Sequence, residues 1–166
     1  MDKFIDELLK MAQEDQVILA TNDPIKQKEV LIKNTDRLKN LIEEHGWPIV
    51  SKFGEKAAQA AWLITQHSDH DLEFQKKVLE ILKSLPKEEV LSKNIAYLED
   101  RVLVAEGKPQ VYGTQFYVDG EGEYGPRPIS NEETLEDRWQ IMGLGEGLWP
   151  TFSDYKDFMV KRFKSK

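Results

Sequence analysis

Up to Gly107 the apolar residues of this 166-residue chain recur at spacings of three and four, the repeat that lines one side of an α-helix. Beyond Gly107 that repeat stops, and β-branched and aromatic residues crowd together. The change of texture predicts a mainly α fold carrying a small β element toward its C-terminal end. Phe4, Ile5, Leu8, Leu9 and Ala12 form the first stripe, a helix over 2–15. Asp23-Pro24 is a start signal, because Asp accepts hydrogen bonds from free N–H groups and Pro at the first helical position lacks only an N–H without a partner. Ile25, Leu31, Leu38, Leu41 and Ile42 carry that second helix to a stop at Gly46. The Ala-rich segment over about 55–67, the stretch from Asp71 to Ser84, and a segment through Leu98 and Val102 to about Glu106 read as three more. The segments QVYGTQFYV at 110–118 and EYGPRPI at 123–129, joined by DGEG, predict an antiparallel hairpin near 110–129. A short helix capped by Ser130 or Asn131, with Glu133 completing a capping box on Ser130, runs to about Met142. A last helix spans about 153–164. No repeat or long linker interrupts the chain, so the reading is one helical domain over 1–166, with about five to seven helices and an appended hairpin.

Composition removes several function classes. There is no cysteine, which excludes disulfides, thiolate catalysis and Cys-ligated metal. The net charge of −7 opposes general nucleic-acid binding, whose main electrostatic term would be repulsive. No window approaches the roughly 18 consecutive apolar residues of a membrane span, and charges every few residues from Asp2 onward argue against a targeting leader. A cytoplasmic protein with no nucleic-acid and no membrane partner is therefore expected. The C-terminal end is locally basic, with Lys156, Lys161, Arg162 and Lys164 interleaved with Phe158, Met159 and Phe163. Cations at a helix C-terminus account for this, and an anionic surface is the alternative.

Chemistry concentrates in three places. His67 lies in QHSDHD at 66–71, at the junction of two helices. It is a candidate proton-transfer group; with His70 and Asp71 it would form an alternative metal site if the segment were helical throughout. Ser68, Asp69 and Asp71 equally suit N-capping. Asp100-Arg101 sits inside a helix, where adjacent residues diverge by about 100° and do not pair with each other. A structural ion pair or backbone clamp competes there with a guanidinium that binds an anion. Gln110, Tyr112 and Thr114 would share one face of a strand, with Gly113 and Gln115 on the other. They either read a polar ligand or tie the hairpin to helix ends. Between Asp119 and Asp137 there are seven acids against Arg127 alone, a solvated run or a surface for a basic partner.

These strings also occur together in a recognisable order. GWP at 46–48, AAQAAWLITQH at 57–67, AYLEDRV at 96–102, GKPQVYGTQ at 107–115, PRPI at 126–129 and R-x-x-x-x-GL from Arg138 resemble an uncharacterised bacterial domain-of-unknown-function family over about residues 36–145. The resemblance implies a shared fold and a shared set of polar positions at Gln66, His67, Asp100, Arg101, Gln110, Tyr112, Gly113, Thr114, Gln115 and Arg138. It implies no activity.

Two functions are then expected as alternatives. In the first, the chain binds or hydrolyses a phosphorylated or nucleotide-like compound. His67 would transfer the proton, and Arg101 would hold the anion. Gln66, Asp100, Gln110, Tyr112, Thr114, Gln115 and Arg138 would orient the ligand, and no cofactor would be involved. In the second, it is a non-catalytic acidic adaptor or immunity-type protein that masks a basic partner. No nucleophile motif, phosphate loop or dinucleotide fingerprint narrows the first; GLGEG at 143–147 lacks the GxGxxG spacing.

Overall fold

A computed structural model describes residues 2–165 of the chain. Among these residues are eight α-helices and one two-stranded antiparallel sheet, a mainly helical fold with a hairpin as expected. The chain divides into two compact units, one ending at Leu91 and the other beginning at Ser92.

The first unit holds α1 (Asp2–Leu19), α2 (Pro24–His45), α3 (Val50–Phe53), α4 (Glu55–Gln66) and α5 (Leu72–Ser84), followed by a 3-10 turn at Lys87–Glu89. Phe4, Leu8, Met11 and Ala12 form the buried side of α1. It packs most extensively against α4, where Ala57, Ala58, Ala60 and Ala61 are all buried and let the two backbones approach closely. Leu38, Leu41, Ile64, Val78 and Leu82 complete this core with almost no exposure. Removing any one of the leucines to alanine would cost about 2–5 kcal/mol. α2 starts where the sequence signals it: Asp23 accepts the Lys26 N–H at 3.1 Å, and Pro24 is the first helical residue. It stops at Gly46, whose φ of 77° only glycine adopts freely. α3 is the helix that periodicity misses, because four residues are too few to show a repeat.

The second unit contains α6 (Ser92–Ala105), β1 (Phe116–Val118), β2 (Tyr124–Pro126), a 3-10 turn at Glu132–Thr134, α7 (Leu135–Ile141) and α8 (Phe152–Lys164). Its core gathers Ala96, Trp139, Leu144 and Tyr155, with Phe116, Trp149 and Phe152 packed around them. The Trp139 ring lies 5.2 Å from Tyr155 and 5.6 Å, edge-on, from Phe152. Phe116 pairs with Pro126, Tyr117 with Gly125 and Val118 with Tyr124. The turn between the strands is built by Asp119, whose carboxylate accepts the N–H groups of Glu121 and Glu123. α8 opens with a capping box of Thr151 and Asp154.

Two sequence expectations need correction. The strands are much shorter than 110–129 suggested: residues 111–115 lie outside the sheet, and Gln110 makes only an isolated bridge to Ile129. The capping box on Ser130 does not form either. Asn131 takes a left-handed conformation, and the Ser130 hydroxyl donates instead to the Gln110 carbonyl at 3.1 Å. Among the described residues no helix is long and apolar enough to cross a membrane.

Asp71 makes the start of α5 testable. Its carboxylate accepts the Phe74 N–H at 3.0 Å and meets Lys39 of α2 at 2.6 Å. The bond from Lys39 first, and the Phe74 N–H second, hold this carboxyl below the ordinary Asp value. Such a group stabilises the fold fully above its unfolded-state pKa, near 4, and loses that contribution as pH falls through the lower folded-state value. Asp71→Ala should therefore lower stability by about 1 kcal/mol at pH 7 in urea melts, with the deficit shrinking on acidification below pH 4. Asp71→Asn, which can still cap, should lose less.

Candidate functional site

The motif residues of the second unit gather around Asp100. This side chain of α6 has no exposure. It accepts the main-chain N–H groups of Val111 at 2.7 Å, Tyr112 at 2.9 Å and Thr114 at 2.9 Å, together with the Thr114 hydroxyl at 2.9 Å. Successive N–H groups turned inward form a concave anion nest, here filled by the chain's own carboxylate. That is why 111–115 is not a strand: donors that a sheet would need point at α6. Gly113 makes the turn with φ of 75°, and a Cβ there would collide with the Phe152 ring. Burial pushes the Asp100 carboxyl up, opposed by the Thr114, Tyr112 and Val111 bonds that favour its charged form.

Other polar residues of this loop are engaged in holding it. Gln110 is fully buried; its amide donates to the carbonyls of Gln115 at 3.0 Å and Arg127 at 2.8 Å, while its oxygen accepts the Gln115 N–H at 2.8 Å. From α7, Arg138 donates to the carbonyls of Val111 at 2.9 Å, Asn131 at 2.9 Å and Ser130 at 2.8 Å, and to the Thr134 hydroxyl. Four of the five N–H donors of a guanidinium are thus taken by the chain itself. Arg101, Tyr112 and Gln115 lie at the half-buried edge. Arg101 Nη1 is 3.5 Å from Gln115 Oε1, and the Tyr112 hydroxyl is 3.5 Å from Glu99. Burial, then the neighbouring Glu99 and Asp100 charges, push the Tyr112 phenol up to about 12, so it stays a donor at neutral pH.

His67 belongs to the first unit and has a different partner. It caps the C-terminus of α4, and its Nδ1 is hydrogen-bonded to Asp15 of α1, 52 residues earlier. Asp15 has no exposure, whereas the His67 side chain is 21% exposed. A carboxylate on Nδ1 fixes the hydrogen there and leaves the lone pair on Nε2. Among the described residues nothing hydrogen-bonds that nitrogen. The same unit holds a wider layer of buried polar side chains. Asn34 donates to the Met11 carbonyl at 3.2 Å, and the Thr35 and Ser68 hydroxyls meet at 2.8 Å. Gln75 of α5 donates to the Thr65 carbonyl at 3.2 Å and to Asp69 at 3.2 Å. Within this layer Asp15 Oδ1, Asn34 Oδ1 and Gln66 Nε2 are buried with no hydrogen-bond partner. Groups of this kind are rare in folded proteins, and each calls for a physical account.

The metal alternative of His67, His70 and Asp71 is not assembled. His67 turns to Asp15, Asp71 caps α5 and pairs with Lys39, and His70 is exposed. Among the described residues no group of three or more His, Asp or Glu gathers as a metal site. Sequence reasoning overlooked Asp15 and Asn34. Asp15 had a signal, since 4, 8, 11 and 15 continue the buried stripe of α1, where a carboxylate needs a reason to be.

The family of unknown function DUF6624 matches residues 4–146, and the chain belongs to that family. The match begins well before residue 36, where the sequence resemblance was drawn, and so takes in α1 with Asp15. No curated protein and no solved structure matches the chain.

The loop around Asp100 yields two stability predictions. Asp100→Asn turns an amide toward N–H groups and should destabilise by about 3 kcal/mol, measured by urea unfolding with tryptophan fluorescence. Gly113→Ala forces both a left-handed φ and a collision with Phe152, and should lower stability by about 1–3 kcal/mol.

Proposed function

We propose that this member of the DUF6624 family acts on a small polar ligand, with His67 as the proton-transfer residue and Asp15 as the residue that positions it. One observation carries the reading: a wholly buried carboxylate holds Nδ1 of a part-exposed histidine and leaves Nε2 without a partner. In that tautomer Nε2 can take a proton from a substrate or from a water molecule and return it later, the general-base geometry of a His–Asp couple. Histidine suits the task because proton exchange near neutrality is the ordinary property of imidazole. In the second unit we read Asp100, Gln110, Thr114 and Arg138 as builders of the loop. Within the second unit Arg101, with Gln115 beside it, is an anion-binding candidate in its own right, since a guanidinium matches phosphoryl oxygens in a way lysine does not.

A second reading, a non-catalytic partner for a basic protein, is favoured by the exposure of Glu121, Glu123, Glu132, Glu133, Glu136 and Asp137. Binding through these acids would weaken steeply with added salt, whereas binding at a buried polar site would not.

The test is a thermal-shift and turnover screen of the full chain against phosphorylated and nucleotide-like compounds. A hit should survive in His67→Gln as binding but lose turnover by about 10²–10⁴-fold, with kcat falling and KM little changed. Asp15→Asn should lower kcat in the same direction while circular dichroism confirms the fold. A His67→Gln protein that keeps full turnover, or one that only melts earlier, sinks the proton-transfer reading.

A further inference from the structure

We infer that the ligand whose polar group meets His67 carries an unbranched aliphatic chain, and that this chain lies in the groove between α1 and α4. The inference rests on the proton-transfer reading for the polar end, and on the groove itself for the chain.

The groove is a cavity of about 750 Å³ in the first unit, open along one side. Ile5, Leu9 and Ala12 line it from α1, and Phe53, Ala60 and Leu63 line it from the end of α3 and from α4. Ala12 and Ala60 are buried, and their small side chains give the groove its depth. Leu9 is 37% exposed, a large apolar side chain that nothing in the chain covers fully. Apolar cavities of several hundred Å³ between helices are the usual setting of small-molecule sites.

Two contacts bracket the groove. The Phe4 ring lies 4.8 Å from that of Phe53, just before α4 begins, and Asp15 is bonded to His67, just where α4 ends. α1 and α4 therefore run side by side in the same direction, with the groove between these two contacts. It extends from Ile5 to Ala12 on one helix and from Lys56 to Leu63 on the other, about 10 Å at the helical rise. His67 stands at its far end. The His67 N–H still bonds the Leu63 carbonyl at 3.2 Å, so the helical register holds that far, and residues four apart share a face. The part-exposed imidazole is one turn beyond Leu63, on the side of α4 that lines the groove.

The dimensions select the occupant. Each lining residue of α1 is followed by an exposed polar one, Asp6, Lys10 and Gln13, and Glu55 and Lys56 are exposed on α4. The apolar strip is thus narrow and edged by polar groups. It is far smaller than the roughly 800 Å² per partner that a stable protein contact uses. An extended octyl chain is about as long as the groove, and seating it there takes apolar surface of both chain and Leu9 out of water. With Nδ1 held by Asp15, the Nε2 lone pair accepts a hydrogen bond, so the chain ends in a donor such as a hydroxyl or an amide N–H.

The experiment is an NMR titration of the full-length chain with octanol, and with ethanol as the same head group without the chain. Octanol should move the Leu9 and Leu63 methyl signals and the His67 ring signals together and to saturation; ethanol at the same concentration should leave them in place. Leu9→Gln should weaken octanol binding about tenfold, equivalent to about 1.4 kcal/mol. Ile5→Gln serves in its place if that variant does not fold. Ile25→Gln, at an apolar position that is 72% exposed and outside the groove, should bind octanol like the parent chain. No saturable response, methyl shifts without His67 shifts, unchanged affinity in Leu9→Gln, or an equal loss in Ile25→Gln each overturns the inference. The two readings fail separately. Octanol binding that depends on Leu9 and moves the His67 ring, with full turnover of a screened compound in His67→Gln, removes the proton-transfer role and leaves the chain site standing. Lost turnover in that variant without any octanol response does the reverse.

Discussion

A carboxylate stripped of its water must be given hydrogen-bond donors by the chain, and that obligation organises both units of this protein. Among the described residues each has one aspartate with no exposure, Asp15 in the first and Asp100 in the second. Around Asp100 the obligation is met in full by residues 111–114, and the course of the loop follows from it. With those N–H groups committed, Gly113 must take a left-handed turn, Gln110 must hold the carbonyls that a sheet would have paired, and Arg138 must secure the carbonyl of Val111. The polar sequence of this segment is therefore the framework of the unit.

Asp15 stands in contrast. Its environment supplies one bond to one oxygen, from an imidazole that itself reaches solvent. The same residue type, equally buried, is closed off by its surroundings in one unit and left with accepting capacity in the other. That difference separates a carboxylate that fixes a loop from one that can orient a histidine and meet a ligand. It also explains why identical polar letters in a sequence carry such different meanings: the number of donors around a buried acid is a property of the fold.

How much could be read in advance follows the range of the interactions. Stripes such as Phe4–Leu8–Met11 and stop signals such as Gly46 act within a few residues, so the long helices of both units were legible, as was the turn at 119–122. α3 was not, because four residues show no period. The loop at 110–115 was misread as strand because its donors are claimed by a residue more than ten positions earlier, a pairing that alternation cannot reveal. His67 stands out by residue type alone, but the partner that the fold gives it lies 52 residues away. Only the break that Asp15 makes in an otherwise apolar face pointed to it.

The aromatic cover of the second unit has a consequence for how the molecule comes into being. α8 begins at Phe152, past the last residue matched by the family, yet its Phe152 lies over Gly113 and its Tyr155 sits in the core with Trp139. Proteins are synthesised from the N-terminus. The first unit, with its core built entirely from residues up to Leu91, has every part it needs early in translation. The second unit does not. Its loop and α6 emerge first and must wait, with the Trp139 ring uncovered, until the chain has been made through Tyr155. α8 is thus a closing latch in time as well as in space: the core of the second unit is complete only when its last helix has been made.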